Sequence, residues 1–172
     1  MNMIAVNAEE IPLLPDSESL ISYVRKVLAE IGIDNWELSV FLCGDETIKS
    51  LNSRYRSKPE PTDVLSFELG AQETMPDGSV RCYPGDIVIS LDTLRENARY
   101  FQISEDEELR RLLIHGILHL NGMDHAANGT DEPMIHLQES ILEKLKEEYI
   151  LSNTDLLPVR PLNMALSGHA GG

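Results

Sequence analysis

The chain has 172 residues, 42% of them hydrophobic, and sets 14 Lys and Arg against 29 Asp and Glu for a formal net charge of −15. That length buries one sizeable core and is most simply one domain. The acidity excludes broad, nonspecific attraction to nucleic acid or anionic membranes, so an enzyme of nucleic acid built on this chain needs a local basic patch that overcomes the global field.

No apolar run of about 18 residues is present, and Met1 to Glu10 carry no basic segment followed by an apolar core. The expectation is a soluble, cytoplasmic protein with no membrane partner. Cys43 and Cys82 form no close metal or redox pair, and both are expected to be reduced.

In chain order, Met3-Ile4-Ala5-Val6 predicts a first strand. Asp16 is placed to cap a helix over Ser17 to Ile31, where Leu20, Ile21, Val24, Val27, Leu28 and Ile31 recur at helical spacing and Gly32 ends it. Trp36 to Cys43 begins in alternation and ends apolar, as a strand buried at its far end does. Asp45 is read as the cap of a second helix from Glu46 to about Arg56, and Lys58-Pro59-Glu60-Pro61 cannot continue it.

Val64 to Leu69 predicts a third strand, Gly70 to Pro84 a polar hairpin or loop with a turn at Pro76-Asp77-Gly78, and Asp86 to Ser90 a fourth strand. A short helix follows over Leu91 to Tyr100. Ser104 and Glu107 have capping-box spacing for the next helix, and Glu105, Asp106 and Glu108 suit its positive end. Asn128-Gly129-Thr130 reads as a turn, and Met134, Ile135, Leu137, Ile141, Leu142, Leu145 and Tyr149 line a last amphipathic helix. From about Ser152 the periodicity is lost, so residues 152–172 are expected to form a mobile tail in which His169 is solvent-exposed. The fold class is α+β: a single domain over residues 1–151, with about four strands in a mixed sheet packed with helices.

Chemistry concentrates in His115-Gly116-Ile117-Leu118-His119-Leu120-Asn121-Gly122-Met123-Asp124-His125, which holds three of the chain's five histidines. The amphipathic lead-in from Glu108 to Ile114 puts His115 and His119 one turn apart on a helix face, where both imidazoles reach one ion. Gly122 stands where a helix stops by turning left-handed, which brings His125 back toward the same ion. Three neutral imidazoles leave a fourth position open, as catalytic rather than structural zinc sites do. The spacing matches the long metzincin motif at all three histidines and the glycine, but Gly116 stands where that motif has its general-base Glu. The apolar residues run nearly all round this helix, which should therefore be central in the packing.

Leu51-Asn52-Ser53-Arg54-Tyr55-Arg56, Pro61-Thr62-Asp63-Val64-Leu65-Ser66-Phe67, Gly85-Asp86-Ile87 and the histidine stretch, in that order, resemble the successive signatures of the YbeY family of bacterial metal-dependent endoribonucleases. The resemblance spans roughly residues 3 to 150 and leaves out the tail. It implies a zinc-type divalent metal at His115, His119 and His125, and a functional arginine at Arg56. It also implies single-strand-specific cleavage of ribosomal RNA, with 3′ end maturation of small-subunit RNA and ribosome quality control as the task. Partners would then be single-stranded ribosomal RNA and the small ribosomal subunit, with no DNA.

Arg56 suits the neutralisation of a phosphorane-like transition state because its planar fork holds two phosphate oxygens, with Arg54 and Lys58 adding backbone affinity. The bland alternative is an exposed helix-end cation. His115 suits either ligation or proton transfer. Asp124 either orients a ligating imidazole or is a turn carboxylate. Asp63 and Asp86 read as turn or cap residues, Met123 and Met134 as filling beneath the site, and His136 as structural. Two rival functions stay open: a metallopeptidase with a displaced base, and a noncatalytic ribosome assembly factor whose metal only staples the fold.

Overall fold

A computed structural model describes residues 1–12, 14–123 and 132–151. Strands β1 (Met3–Ala8), β2 (Glu37–Cys43), β3 (Val64–Thr74) and β4 (Val80–Ser90) form one sheet in the order β1-β2-β4-β3. The pairs β1–β2 and β2–β4 are parallel and β3–β4 is antiparallel, which gives the mixed sheet expected of an α+β domain. Helices α1 (Ser17–Glu30), α2 (Asp45–Arg56), α3 (Leu91–Phe101), α4 (Glu105–Leu120) and α5 (Glu132–Lys144) pack around it. Among the described residues, no helix is long and apolar enough to cross a membrane.

The helix starts follow from their caps. Asp16 accepts the Ser19 amide at 2.9 Å and Ser104 the Glu107 amide at 3.0 Å, each satisfying an N–H that the first turn leaves without a partner. The cap of α2 is Gly44 rather than Asp45. Asp45 lies inside the first turn, where its carboxylate accepts the Ser90 and Thr93 hydroxyls at 2.7 and 2.5 Å and so ties α2 to the start of α3.

Of the two readings open for Gly70 to Pro84 the hairpin is the one found, whereas the last helix ends earlier than its apolar pattern suggests. The stretch from Gly70 to Pro84 is a long hairpin continuing β3 and β4, with its turn between Thr74 and Val80. The last helix ends at Lys144, and Ile150 and Leu151 come back onto the core because buried Asp106 accepts both their amides at 2.7 and 2.8 Å.

One face of the sheet carries the main core, in which Leu38, Val40, Leu42, Ile87 and Ile89 meet α1, α3, α4 and α5. The other face holds a smaller cluster of Cys43, Ile48, Leu65 and Val88 beneath α2. Burial pushes the Cys43 thiol up to about 12, so it packs as an inert apolar group. Helix α4 is central, touching β3, β4, α1, α3 and α5. That packing is as expected from its apolar circumference, and Leu109, Leu113, Ile114, Ile117 and Leu118 are all buried. The consequence for function is placement. Strand β3 is one edge of the sheet, with α4 on one side of it and the end of α2 on the other.

Candidate active site

The end of α2 is built to hold a loop. Ser57 closes the helix in a left-handed conformation at φ 58°, and its amide returns to Ser53 O. Buried Asn52 then donates Nδ2 to Glu60 O at 2.9 Å while its carbonyl accepts the Lys58 amide at 3.2 Å. That clamp fixes the Pro-containing exit loop and with it the last turn of α2. Arg56 stands there exposed, but not adrift: its Nη2 donates to Ser66 O at 2.7 Å, and its guanidinium lies 5.7 Å from the Phe67 ring centroid. The carbonyl it takes belongs to the sheet edge, where outward backbone groups lack a strand partner.

Strand β3 needs Gly85 across from it. A side chain there would meet Phe67 O at 1.9 Å, and the backbone sits at φ +142°, so only glycine lets β3 and β4 approach at Phe67 and Glu68.

On the opposite side, α4 sits close on β4 at Gly116. A Cβ at this position would meet Ile87 at 3.0 Å. The residue that breaks the metzincin pattern is thus a packing glycine, and a glutamate there would be driven into the core. Close approach carries the last turns of α4 to the sheet edge, where His115 and His119, both half-buried, line a pocket of about 160 Å³ with Arg56, Val64, Leu65 and Ser66. No carboxylate lines this pocket among the described residues. Gly122 takes φ +90° and donates to His119 O at 3.1 Å, turning the chain as the motif predicts.

His115 is oriented from behind. Gln138 on α5 is 5% exposed. Its Nε2 donates to Glu139 Oε2 at 3.0 Å, which leaves Oε1 to accept from His115 Nδ1 at 2.8 Å. In the neutral imidazole this contact favours the tautomer with its proton on Nδ1, which leaves the Nε2 lone pair for a metal. Glu139 is held in turn by Arg111, whose Nε and Nη2 donate to it at 2.9 and 3.1 Å and pull its carboxyl below the usual range. Arg111 also donates to Glu107 at 2.9 Å, closing the network back onto α4.

The residues present fit a metal on this observation: two imidazoles line one pocket, and the Nδ1 of one is held by a buried amide oxygen, which leaves Nε2 as its ligating atom. Among the described residues no three His, Cys, Asp or Glu side chains gather as ligands. Asp124 and His125 lie outside the described residues, as do the expected turn at Asn128-Gly129-Thr130, the tail and His169.

Of the other residues singled out from sequence, Asp63 is a local cap, with Oδ1 accepting the Val64 amide at 2.8 Å and Oδ2 accepting from Asn97 at 3.2 Å. Asp86 is exposed on β4, Met134 is buried, Met123 is half-buried against the core, and His136 is exposed on α5. Gln138 and Ser66 were not foreseen as parts of the site. Ser66 stood inside a recognised motif, but Gln138 lay in no motif.

The family model described as Endoribonuclease YbeY matches residues 4–146, a span that takes in α2, β3, β4, α4 and all of α5. The chain belongs to the YbeY endoribonuclease family. It is 44% identical over 138 residues to an Endoribonuclease YbeY of Treponema denticola, covering 80% of this chain and 89% of that protein. Over 131 residues it is 39% identical to the Endoribonuclease YbeY of Aquifex aeolicus, covering 76% and 84%. The solution structure of TM1509 from Thermotoga maritima is 31% identical and aligns with a TM-score of 0.58 over 84% of this chain and 91% of that one. YbeY membership makes the protein an endoribonuclease of the hydrolase class.

Proposed function

We propose that this protein is a metal-dependent endoribonuclease that cuts single-stranded ribosomal RNA in the cytoplasm, in 3′ end maturation of small-subunit RNA and in ribosome quality control. The observation that carries the reading is the meeting of Arg56 with His115 and His119 in one pocket at the sheet edge. These are the cation and two of the imidazoles that phosphodiester chemistry needs.

His115 and His119, with His125 as the third ligand, would hold one divalent ion, most simply zinc. Bound there, such an ion supplies Lewis acidity toward a phosphoryl oxygen and toward water. The chain's own residues do the rest. Arg56, with one donor committed to Ser66 O, presents its remaining N–H groups toward the scissile phosphate and offsets the charge that builds on it. Gln138 favours the His115 tautomer with its proton on Nδ1. Val64 and Leu65 give the pocket an apolar wall that thins the water around the reacting group.

Gly116 packed against Ile87, with no carboxylate in the pocket among the described residues, weighs against the peptidase alternative. The test is a single-stranded fragment of small-subunit RNA incubated beside the same sequence annealed to its complement. Cutting of the first alone, abolished by a chelator and restored by zinc, is the expected result. Equal cutting of both, or indifference to the chelator, would overturn the proposal.

A further inference from the structure

Beside Arg56 the surface changes character. Tyr55 is 60% exposed, and its ring meets Phe67 at a centroid distance of 5.4 Å with 70° between the planes. Two guanidinium groups flank the pair, Arg54 lying 5.9 Å from the Tyr55 centroid and Arg56 5.7 Å from that of Phe67. Exposed aromatics alone would mean little, since Tyr100 and Phe101 are also exposed. What marks Tyr55 and Phe67 is the two guanidinium groups set against their rings, one of which also lines the histidine pocket.

Lys26, Arg95, Arg110, Arg111, Lys144 and Lys146 each form an ion pair with a carboxylate. Arg25, Arg81 and Arg99, scattered on α1, β4 and α3, have no such pair among the described residues, and neither do Lys49, Arg54, Arg56 and Lys58, which cluster on α2 and its exit turn. In a protein of net charge −15, cations left without carboxylates on one element form the local positive field that an acidic nucleic-acid enzyme requires.

We infer that Tyr55 and Phe67, framed by Arg54 and Arg56, form a base-stacking platform that seats an unpaired nucleotide of the RNA next to the pocket of Arg56, His115 and His119. The inference rests on the ribonuclease reading and adds how the substrate strand is held. Arg56 belongs to both places, lining the pocket and lying over the Phe67 ring. A strand whose phosphate meets Arg56 therefore has its neighbouring base within reach of the aromatic pair. The T-shaped contact with Phe67 holds the Tyr55 ring in place at little further cost in rotamer freedom. A stacking surface accepts any base because every base has a π-face, but it needs that base unpaired. The platform would thus select single strands without reading their sequence. Lys58 and Arg54 contribute phosphate contacts along the same side.

The experiment uses the full chain with its metal and a mixed-sequence single-stranded RNA oligonucleotide, beside the same oligonucleotide with abasic positions. Tyr55→Ala, at an exposed position, should weaken binding of the intact oligonucleotide about tenfold. It should raise KM with kcat little changed. Tyr55→Trp should restore binding, and wild type and Tyr55→Ala should bind the abasic strand alike.

If wild type cuts RNA and Tyr55→Ala shows an unchanged KM, or loses binding to intact and abasic strands equally, the platform is refuted and the ribonuclease reading stands. If wild type binds the strand in a Tyr55-dependent way and never cuts it, the platform stands and the ribonuclease reading falls.

Discussion

His115 on α4 and Gln138 on α5 are joined by a 2.8 Å hydrogen bond that fixes which imidazole nitrogen faces the pocket. Removing the acceptor should free the ring to turn and to exchange tautomers. Gln138→Leu is therefore expected to weaken zinc binding by about 10–100-fold, measured by competition with a coloured chelator. Gln138→Glu, which still offers an acceptor oxygen, should stay much closer to wild type. Equal affinities for the leucine variant and wild type would remove Gln138 from the site.

Gly116 allows α4 to lie on Ile87, and restoring the metzincin residue tests that packing. Gly116→Glu adds both bulk and a carboxylate to a buried contact, and should cost about 3 kcal/mol or more. Urea denaturation monitored by circular dichroism would read it. A variant as stable as wild type would mean that α4 and β4 are not in close approach.

Much of this architecture was legible in the chain. The starts of α1 and α4 could be read because Asp16 and Ser104 are side-chain caps, a local device that leaves a local sequence mark. The centrality of α4 followed from apolar residues on all its sides, and the left-handed turn at Gly122 from the residue itself. The turn at Pro76-Asp77-Gly78 left a hairpin or a loop open beyond Leu69, and the extent of the strands could not be read because the β3 arm from Glu68 to Thr74 is exposed throughout, so no burial imposes an alternating pattern on it. The partnership of His115 with Gln138 spans 23 residues between two helices, and no periodicity encodes a contact of that kind. Arg56 was legible as a candidate. Its anchor on Ser66 O was not, since a bond to a backbone carbonyl is independent of side-chain identity.

Arg111 holds the Glu139 carboxyl below the ordinary carboxylate range. A folded-state pKa that is lowered contributes stability above the unfolded value of about 4.3, and this is lost as pH falls through the folded value. The stability difference between wild type and Glu139→Gln should accordingly be largest near neutral pH and shrink below about pH 4. Denaturant titrations of the pair across that range check the slope. A difference that grows toward acid would carry the opposite sign and contradict the ion pair.

The central claim is that Arg56 acts on the phosphate of a strand held at the pocket of His115 and His119. Its most direct test is cleavage of a single-stranded small-subunit RNA fragment by wild type and by Arg56→Ala, purified identically and analysed for metal. The account predicts that the variant keeps its metal and its fold and loses cleavage by about 10²–10³-fold in kcat. Equal cutting by the two proteins at equal metal content would contradict it.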